Sequence, residues 1–373
     1  MSARNDPSGR PAAATIADVA LRAGVGRGTV SRVINDRPNV DPATRERVRA
    51  AIAALDYVPS PTARRLSLGR TQTIGVVVPY MTTPSVVERL RGIDAALVVA
   101  GYDMIVFNIE TVERRDVVLR DVPRRERVDG LLIVSVRPNP AELARIAAAG
   151  LPVVLIDCEQ AGVPSVVVDD VAGGRLATEH LIGLGHRRIA FLGDPPRLPL
   201  GFVASQRRLE GTIAALKAAG IALPPSRVAS GEHGRDSAAA LTRRLMAEAE
   251  PPTAIVCASD TQAVGAIEAL RAAGRHVPGD VSIVGYDDVE LAGYLDLTTI
   301  RQPLAETGRR AVERLLAAID RSPAARSAEA AGPATGDESE ILPVMLVVRG
   351  STGPPPAGHA PRSPRIARSS EPS

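Results

Sequence analysis

Residues 15–34 read Thr-Ile-Ala-Asp-Val-Ala-Leu-Arg-Ala-Gly-Val-Gly-Arg-Gly-Thr-Val-Ser-Arg-Val-Ile, and this stretch decides the fold of the amino-terminal region. Thr15 is placed to cap a helix, with Asp18 three positions on to support the free amides of its first turn. Ile16, Val19, Ala20 and Ala23 then recur at helical spacing, and Gly24 stands where a helix stops and the chain turns left-handed. In the next segment Val30, Val33 and Ile34 form an apolar stripe, leaving Arg27, Gly28, Ser31, Arg32 and Asn35 on other faces. Two short helices about a glycine turn make a helix-turn-helix, whose second helix suits a DNA major groove. An ordinary helical hairpin gives the same local pattern, so the stretch needs support from its surroundings.

A third helix follows, because Asp41 precedes Pro42, a capping acid before the residue best tolerated at the first helical position. Val48, Ile52 and Leu55 supply its apolar face, and Arg45, Arg47 and Arg49 can reach phosphates. Residues 1–70 hold twelve Arg against six acids, a net +6, whereas the whole chain is +3 and the remainder therefore −3. Basic charge is concentrated where counterion-releasing contacts to DNA need it. Residues 57–69, Tyr-Val-Pro-Ser-Pro-Thr-Ala-Arg-Arg-Leu-Ser-Leu-Gly, set two prolines across the end of the third helix and then a short helix-capable segment.

With that segment the chain resembles the lactose-repressor/galactose-repressor (LacI/GalR) family of bacterial transcription regulators. The resemblance runs over about residues 13–352, through landmarks such as Gly-Gly-Arg-Leu-Ala-Thr-Glu-His-Leu, Leu-Gly-His-Arg-Arg-Ile-Ala-Phe-Leu-Gly and Val-Gly-Tyr-Asp-Asp. It implies a DNA-binding headpiece (13–59), a hinge helix (60–70) and a ligand-binding and dimerisation core (72–352), and outside its span a disordered arm (1–12) and a disordered tail (353–373) are expected. It also implies that Leu66 wedges into the minor groove, where an apolar side chain kinks DNA for a few kcal/mol per step. Packing within one linker turn is the plainer reading of Leu66 taken alone. The residues expected to face DNA are Thr15, Arg27, Gly28, Thr29, Ser31, Arg32, Asn35, Thr62, Ala63 and Leu66. Gly26 and Gly28 stand where relatives carry a capping Ser and a base-reading side chain, which shifts direct readout toward Arg27 and makes the operator this chain's own.

From residue 73 apolar strand-like runs alternate with helical segments. The strands are expected at 74–78, 104–107, 130–135, 152–157, 165–168, 189–193, 254–257 and 281–285, with helices such as 86–100, 140–149, 173–184, 209–219, 237–250 and 261–273 between them. Near-continuous apolar strands alternating with helices imply parallel sheets covered on both faces. The span exceeds one core, so two doubly wound parallel-sheet subdomains are expected, periplasmic-binding-protein-like by the resemblance. By that analogy the first takes about 72–171 and 302–322, and the second 172–301 and 340–352. Residues 341–349 look like a last strand, 322–340 like an exposed insertion, and 353–373, rich in Pro, Ser and Arg, like a disordered tail without leucine heptads. A homodimer is the expectation.

Ligands of open parallel sheets sit at the carboxyl ends of the strands, and two facing subdomains make a cleft. The resemblance maps ligand residues onto Asp157, Arg208, Ser259, Asp287 and an aromatic position filled by His233. Carboxylates opposite guanidiniums suit a polyhydroxylated ligand, because each holds adjacent hydrogen-bonding groups. Surface ion pairs or caps are the bland readings. With no Trp and three Phe the chain has little aromatic surface for stacking, so Tyr80 or His233 is the candidate platform. The expected partners are thus double-stranded operator DNA and a small effector, possibly a sugar, with no cofactor and no metal. His180, His186 and His276 lack metal-ligand spacing, Gly173-Gly174 lacks the fuller phosphate-binding pattern and reads as packing, and no nucleophile–base constellation suggests an enzyme.

The start of the chain lacks a secretory apolar core, and no run approaches the ~20 apolar residues of a membrane helix. Cys158 and Cys257, the only cysteines, both end apolar runs and read as buried thiols in a reducing cytoplasm. These features favour a dimeric, ligand-responsive cytoplasmic repressor over the other classes a two-lobed cleft permits: a solute-binding receptor with no DNA role, or an enzyme on a doubly wound fold.

Overall fold

The computed structural model describes residues 14–34, 37–57, 70–124, 126–196, 200–321 and 339–356. Asn35, Thr62, Ala63 and Leu66 lie outside these residues, as do the arm, most of the hinge, the insertion at 322–338 and residues 357–373. The chain divides into two units between Gln72 and Thr73.

In the first unit three helices, α1 (Ile16–Ala23), α2 (Arg27–Ile34) and α3 (Pro42–Ala54), enclose a small core of Val19, Ala20, Ala23, Val30, Val33, Val48, Ala51 and Tyr57. Thr15 and Asp18 form a reciprocal capping box, satisfying two of the amides a helix start leaves open. Gly24 closes α1 at φ +65°, where a side chain would be strained. Asp41 accepts from the Thr44 amide with Pro42 in the first turn. The third helix ends at Ala54, ahead of the prolines that the sequence suggested would stop it: Asp56 turns left-handed at φ +45° and the Tyr57 amide returns to the Ile52 carbonyl.

The second unit holds two six-stranded sheets. The first contains β1 (Thr73–Pro79), β2 (Asp103–Ile109), β3 (Gly130–Val134), β4 (Val153–Ile156), β5 (Ser165–Val168) and β11 (Ser339–Leu342), in the order β11-β5-β4-β3-β1-β2, all parallel. The second contains β6 (Ile189–Gly193), β7 (Val228–Ser230), β8 (Ala254–Cys257), β9 (Ser282–Asp287), β10 (Thr299–Arg301) and β12 (Met345–Val347), in the order β12-β10-β9-β8-β6-β7, with only β12 antiparallel. The inner strands are apolar and buried throughout, as a sheet covered on both faces requires.

Helices cover each face. Around the first sheet lie α4 (Pro84–Ala100), α5 (Val112–Asp121), α6 (Pro140–Ala148) and α12 (Leu304–Arg321). Around the second lie α7 (Asp170–Gly183), α8 (Ala204–Ala218), α9 (Arg235–Met246), α10 (Asp260–Ala272) and the single turn α11 (Glu290–Tyr294). The chain thus passes between the lobes three times: after β5, after β10, and between β11 and β12.

Two boundaries differ from the sequence expectation. Residues 341–349 are not one strand of the second lobe: Ser339–Leu342 pairs with β5 in the first sheet, and only Met345–Val347 joins the second. Glu340, Ile341 and Leu342 therefore belong to the first lobe. Residues 353–356, expected in the disordered tail, instead pack on the second lobe. Gly353 exchanges hydrogen bonds with Ser282, its carbonyl accepts from His186, and Pro355 lies against Gly185. The short strands β7 and β10 went unread because three residues carry no usable periodicity.

Glycines set the helix spacing around both cores. A Cβ at Gly174 on α7 would overlap the backbone carbonyl of Arg208 on α8, and one at Gly92 on α4 would overlap that of Ala305 on α12. Packing is thus the role of Gly174, and no side chain can yield to make room. We expect Gly174→Ala to destabilise the core by about 1–3 kcal/mol in urea unfolding. Gly28→Ala acts oppositely, since nothing lies within 4 Å of a Cβ there. Hydrogen exchange of headpiece amides in the full chain should report a gain of up to ~1 kcal/mol from helix propensity.

Candidate functional site

The carboxyl ends of both sheets face a cavity of about 540 Å³ between the two lobes. Tyr80, Asp157, Arg208, His233, Ser259 and Asp287, the six ligand candidates from the sequence, all line it. Strand ends and the loops and helix starts that follow them supply the wall, and several strand-end residues leave extended geometry. Tyr80, Ser135, Asp157 and Asp287 hold φ values of +44°, +58°, +64° and +119°. Non-glycine residues in this region cost about 1–3 kcal/mol each and persist where the surroundings fix them.

The floor is a connected polar chain. Asp157 accepts from Ser135 Oγ at 2.7 Å and from Arg89 Nη2 at 2.8 Å. Arg89 Nη2 also reaches Gln302 Oε1 at 3.2 Å, and Gln302 Nε2 donates to Asp287 Oδ1. Arg208 Nη1 stands 3.9 Å from the same Asp287 oxygen, its Nε donates to Asp170 at 2.8 Å, and its guanidinium lies 3.7 Å from the centre of the Tyr286 ring. Gln302 occupies the second lobe crossing, so the chain runs from one lobe into the other. On the rim, His233 Nδ1 pairs with Asp194 at 3.0 Å, and Tyr80 meets Phe202 edge-on at 6.2 Å.

Burial governs the protonation of this floor. It pushes Asp287 up to about 6 against the pull of Arg208 and Arg89, and raises Asp170 against the pull of Arg208. Burial opposes the charge of His233, but the hydrogen bond and charge of Asp194 outweigh it and leave the imidazole more basic than usual. Burial also drives Asp260 up to about 8, with Asp287 adding to the effect. Cys158, pushed up to about 12, and Cys257 are buried neutral thiols.

Not every candidate side chain is available to a ligand. Ser259 caps α10, accepting from the Gln262 amide at 3.2 Å. Asp260 accepts from Thr299 Oγ1 and the Val289 amide, and Asp288 is held by Arg301 and Arg349. His186 is a core residue bonded to Thr253 and Ser282. Arg89, Ser135, Asp194, Phe202, Glu232 and Gln302 line the cleft but were not singled out in the sequence. Arg89 left a signal, a lone charge in the buried stripe Val86–Arg89–Ile93–Leu97. The others lie on loops, where no periodicity marks them.

On the headpiece, Arg27, Gly28, Arg32 and Thr15 are exposed, and Thr29 and Ser31 are half-buried. Arg45 donates to the Arg37 carbonyl and Arg47 to Thr44. No metal-holding cluster occurs among the described residues, and no described helix is long and apolar enough to cross a membrane.

Comparison with known proteins agrees with this two-part arrangement. A sequence model of bacterial regulatory proteins, lacI family, matches residues 15–60, and one of a periplasmic binding protein-like domain matches 178–352. The ribose operon repressor of Escherichia coli strain K12 is 36% identical over 308 residues, 81% of this chain and 92% of that protein. The solved lac repressor dimer bound to operator and the anti-inducer ONPF shares 31% identity at a TM-score of 0.78, covering 92% of this chain and all (100%) of that one. The complex of the transcriptional regulator CelR with cellobiose shares 34% identity at a TM-score of 0.65, over 91% and 99% of the two chains.

The raised Asp260 has a measurable consequence. A folded-state value above the unfolded one means that its contribution to stability is complete at low pH and is lost as pH climbs toward and past about 8. Asp260→Asn keeps an acceptor without the charge. Between pH 5 and 9, thermal melts should show wild type losing stability relative to this variant; a pH-independent difference contradicts the assignment.

Proposed function

The chain belongs to the LacI family of bacterial regulatory proteins, and on that premise we propose that it is a ligand-responsive transcriptional repressor that binds a near-palindromic operator as a homodimer. The observation that carries the reading is the joining, in one chain, of a basic helix-turn-helix to a two-lobed cleft floored by paired carboxylates and guanidiniums.

Arg27 reads bases, Thr29, Ser31 and Arg32 position the reading helix on phosphates, and Thr15, Gly28 and Asn35 are further DNA-contacting residues of the headpiece. Leu66 wedges into the minor groove, and Thr62 and Ala63 are further DNA-contacting residues. The effector is a small polyhydroxyl compound, in keeping with the ribose and cellobiose named for relatives. It is held by Asp157, Arg208 and Asp287, with Ser259 and His233 on the wall and Tyr80 as the platform. The protein works in the cytoplasm and does no chemistry on its ligand.

Ligand controls DNA binding by linkage: an inducer binds the DNA-incompetent state more tightly, a corepressor the DNA-competent one. Footprinting on DNA from the gene's neighbourhood tests the reading. The full chain should protect a discrete site at least about 1,000-fold more tightly than random DNA, with steep salt dependence. Removing residues 1–70 should abolish protection, and Arg27→Ala should cost about 1–3 kcal/mol, concentrated at one base position of each half-site. Equal affinity for random DNA with and without neutral sugars would overturn it.

A further inference from the structure

One ring nitrogen of His233 is fixed by its neighbours and the other is left open. β7 runs beside β6 with Ser230 in register with Gly193, and the turn after β7 brings His233 to Asp194, the first residue beyond β6. Asp194 is held from two helices. Its amide donates to Ser205 Oγ on α8 at 2.9 Å, and its Oδ1 accepts from Gln262 Nε2 on α10 at 2.9 Å. Gln262 Oε1 in turn accepts from Ser259 Oγ at 3.3 Å, which keeps the donating end of the amide toward Asp194. His233 Nδ1 meets the same Asp194 Oδ1 at 3.0 Å.

This pattern decides where the ring carries its protons. A carboxylate oxygen only accepts, so Nδ1 is the donor in both charge states, and the proton that comes and goes is the one on Nε2. Nε2 bonds to no described residue, and the His233 side chain is 37% exposed and lines the cleft. Nε2 is therefore the ring nitrogen left for a molecule in the cleft. Burial works against the imidazolium, but the hydrogen bond and charge of Asp194, with Asp287 adding to them, outweigh burial and the opposing charge of Arg208. Glu232 beside it and Tyr80, Arg89 and Asp157 from the first lobe complete the titratable lining. Arg235, the next charged residue along the chain, is turned to Asp236 and Glu268, and Asp260 to Thr299 and Val289.

We propose that His233 is a specificity-determining residue of the cleft, donating a charge-assisted hydrogen bond from Nε2 to a hydroxyl or ether oxygen of a neutral polyhydroxyl effector, with Asp194 as its positioning residue. The proposal rests on the reading of the cleft as the effector site. A hydrogen bond from a charged donor is about twice as strong as one from a neutral donor, so the effector favours the protonated ring. Where the free ring is neutral, binding then takes up a proton from the buffer onto Nε2. The effector is neutral because Asp157, Asp194, Glu232 and Asp287 outnumber Arg89, Arg208 and His233 even with the imidazole charged. An anion brought there meets an excess of negative charge.

Calorimetric titration of the full chain with D-ribose, cellobiose and other neutral pentoses, hexoses and disaccharides, and with the corresponding aldonic acids, tests this. Runs between about pH 6.5 and 9, in buffers of different ionisation enthalpy, count the protons exchanged. Affinity is full where the free ring is already charged and falls as pH rises past that point. A sugar that binds should do so about 3- to 30-fold more weakly at the alkaline end, with up to about one proton taken up per site. Asp194→Asn keeps an acceptor for both donors without the charge, and should melt near wild type with the pH dependence moved to lower pH. His233→Gln, at an exposed position, should fold as wild type does and abolish both the pH dependence and the proton uptake. The His233 Cε1–H resonance, identified by its loss in His233→Gln, should titrate at higher pH with the sugar bound. Affinity independent of pH, proton uptake that persists in His233→Gln, a resonance whose midpoint the sugar leaves unmoved, a pH dependence unmoved in Asp194→Asn, or an acid binding better than its parent sugar overturns the proposal while leaving the cleft an effector site. Wild type binding none of the compounds overturns both.

Discussion

Two guanidiniums buried at the carboxyl ends of two parallel sheets are the constraint around which the core is arranged. A charge taken out of water is tolerated only with a close partner and satisfied hydrogen bonds. Arg208 therefore requires Asp170 at the start of the helix that enters the second lobe, and Arg89 requires Asp157 at the end of a first-lobe strand. Asp157 and Asp287, the strand-end carboxylates facing the two arginines, both hold left-handed backbone, and the helices that carry the arginines approach their neighbours closely at Gly92 and Gly174. Gln302, placed by the second crossing, bonds both Arg89 and Asp287, and Asp287 lies 3.9 Å from Arg208. Polar geometry at the cleft floor and helix packing in the apolar layers are thus one problem with one solution.

That arrangement makes the cleft a reporter of lobe geometry. The chain from Ser135 through Asp157, Arg89, Gln302 and Asp287 to Arg208 crosses between lobes, and outside the cavity Arg207 of the second lobe pairs with Glu159 of the first at 3.0 Å. A ligand seated on groups from both lobes favours one mutual setting over another, and only this differential affinity can shift an equilibrium. The energy available is that of a few hydrogen bonds in a low-dielectric cleft, the scale of ordinary allosteric coupling at about 1–3 kcal/mol.

Much of this was legible in the sequence, for identifiable reasons. Thr15, Asp18 and Gly24 act within one helix, so spacing alone places them. The inner strands were readable because burial on both faces makes them uniformly apolar. Asp157, Arg208, His233, Ser259, Asp287 and Tyr80 converge on one cavity as strand-end reasoning and family resemblance together suggested. What escaped depends on distant partners. Leu342 and Met345 are three residues apart yet enter different sheets, a choice made by β5 and β10 rather than by local pattern. Arg89 broke an apolar stripe, but its meaning appears only once Asp157 and Gln302 are beside it.

The central claim is that the cleft and the headpiece are energetically linked. The decisive measurement is the operator dissociation constant of the full chain with and without a saturating neutral sugar that it binds, paired with the dissociation constant of that sugar for free and operator-bound protein. Linkage predicts that both ratios change by the same factor, about 5- to 150-fold. A sugar that saturates the protein yet leaves operator affinity unchanged would contradict the account.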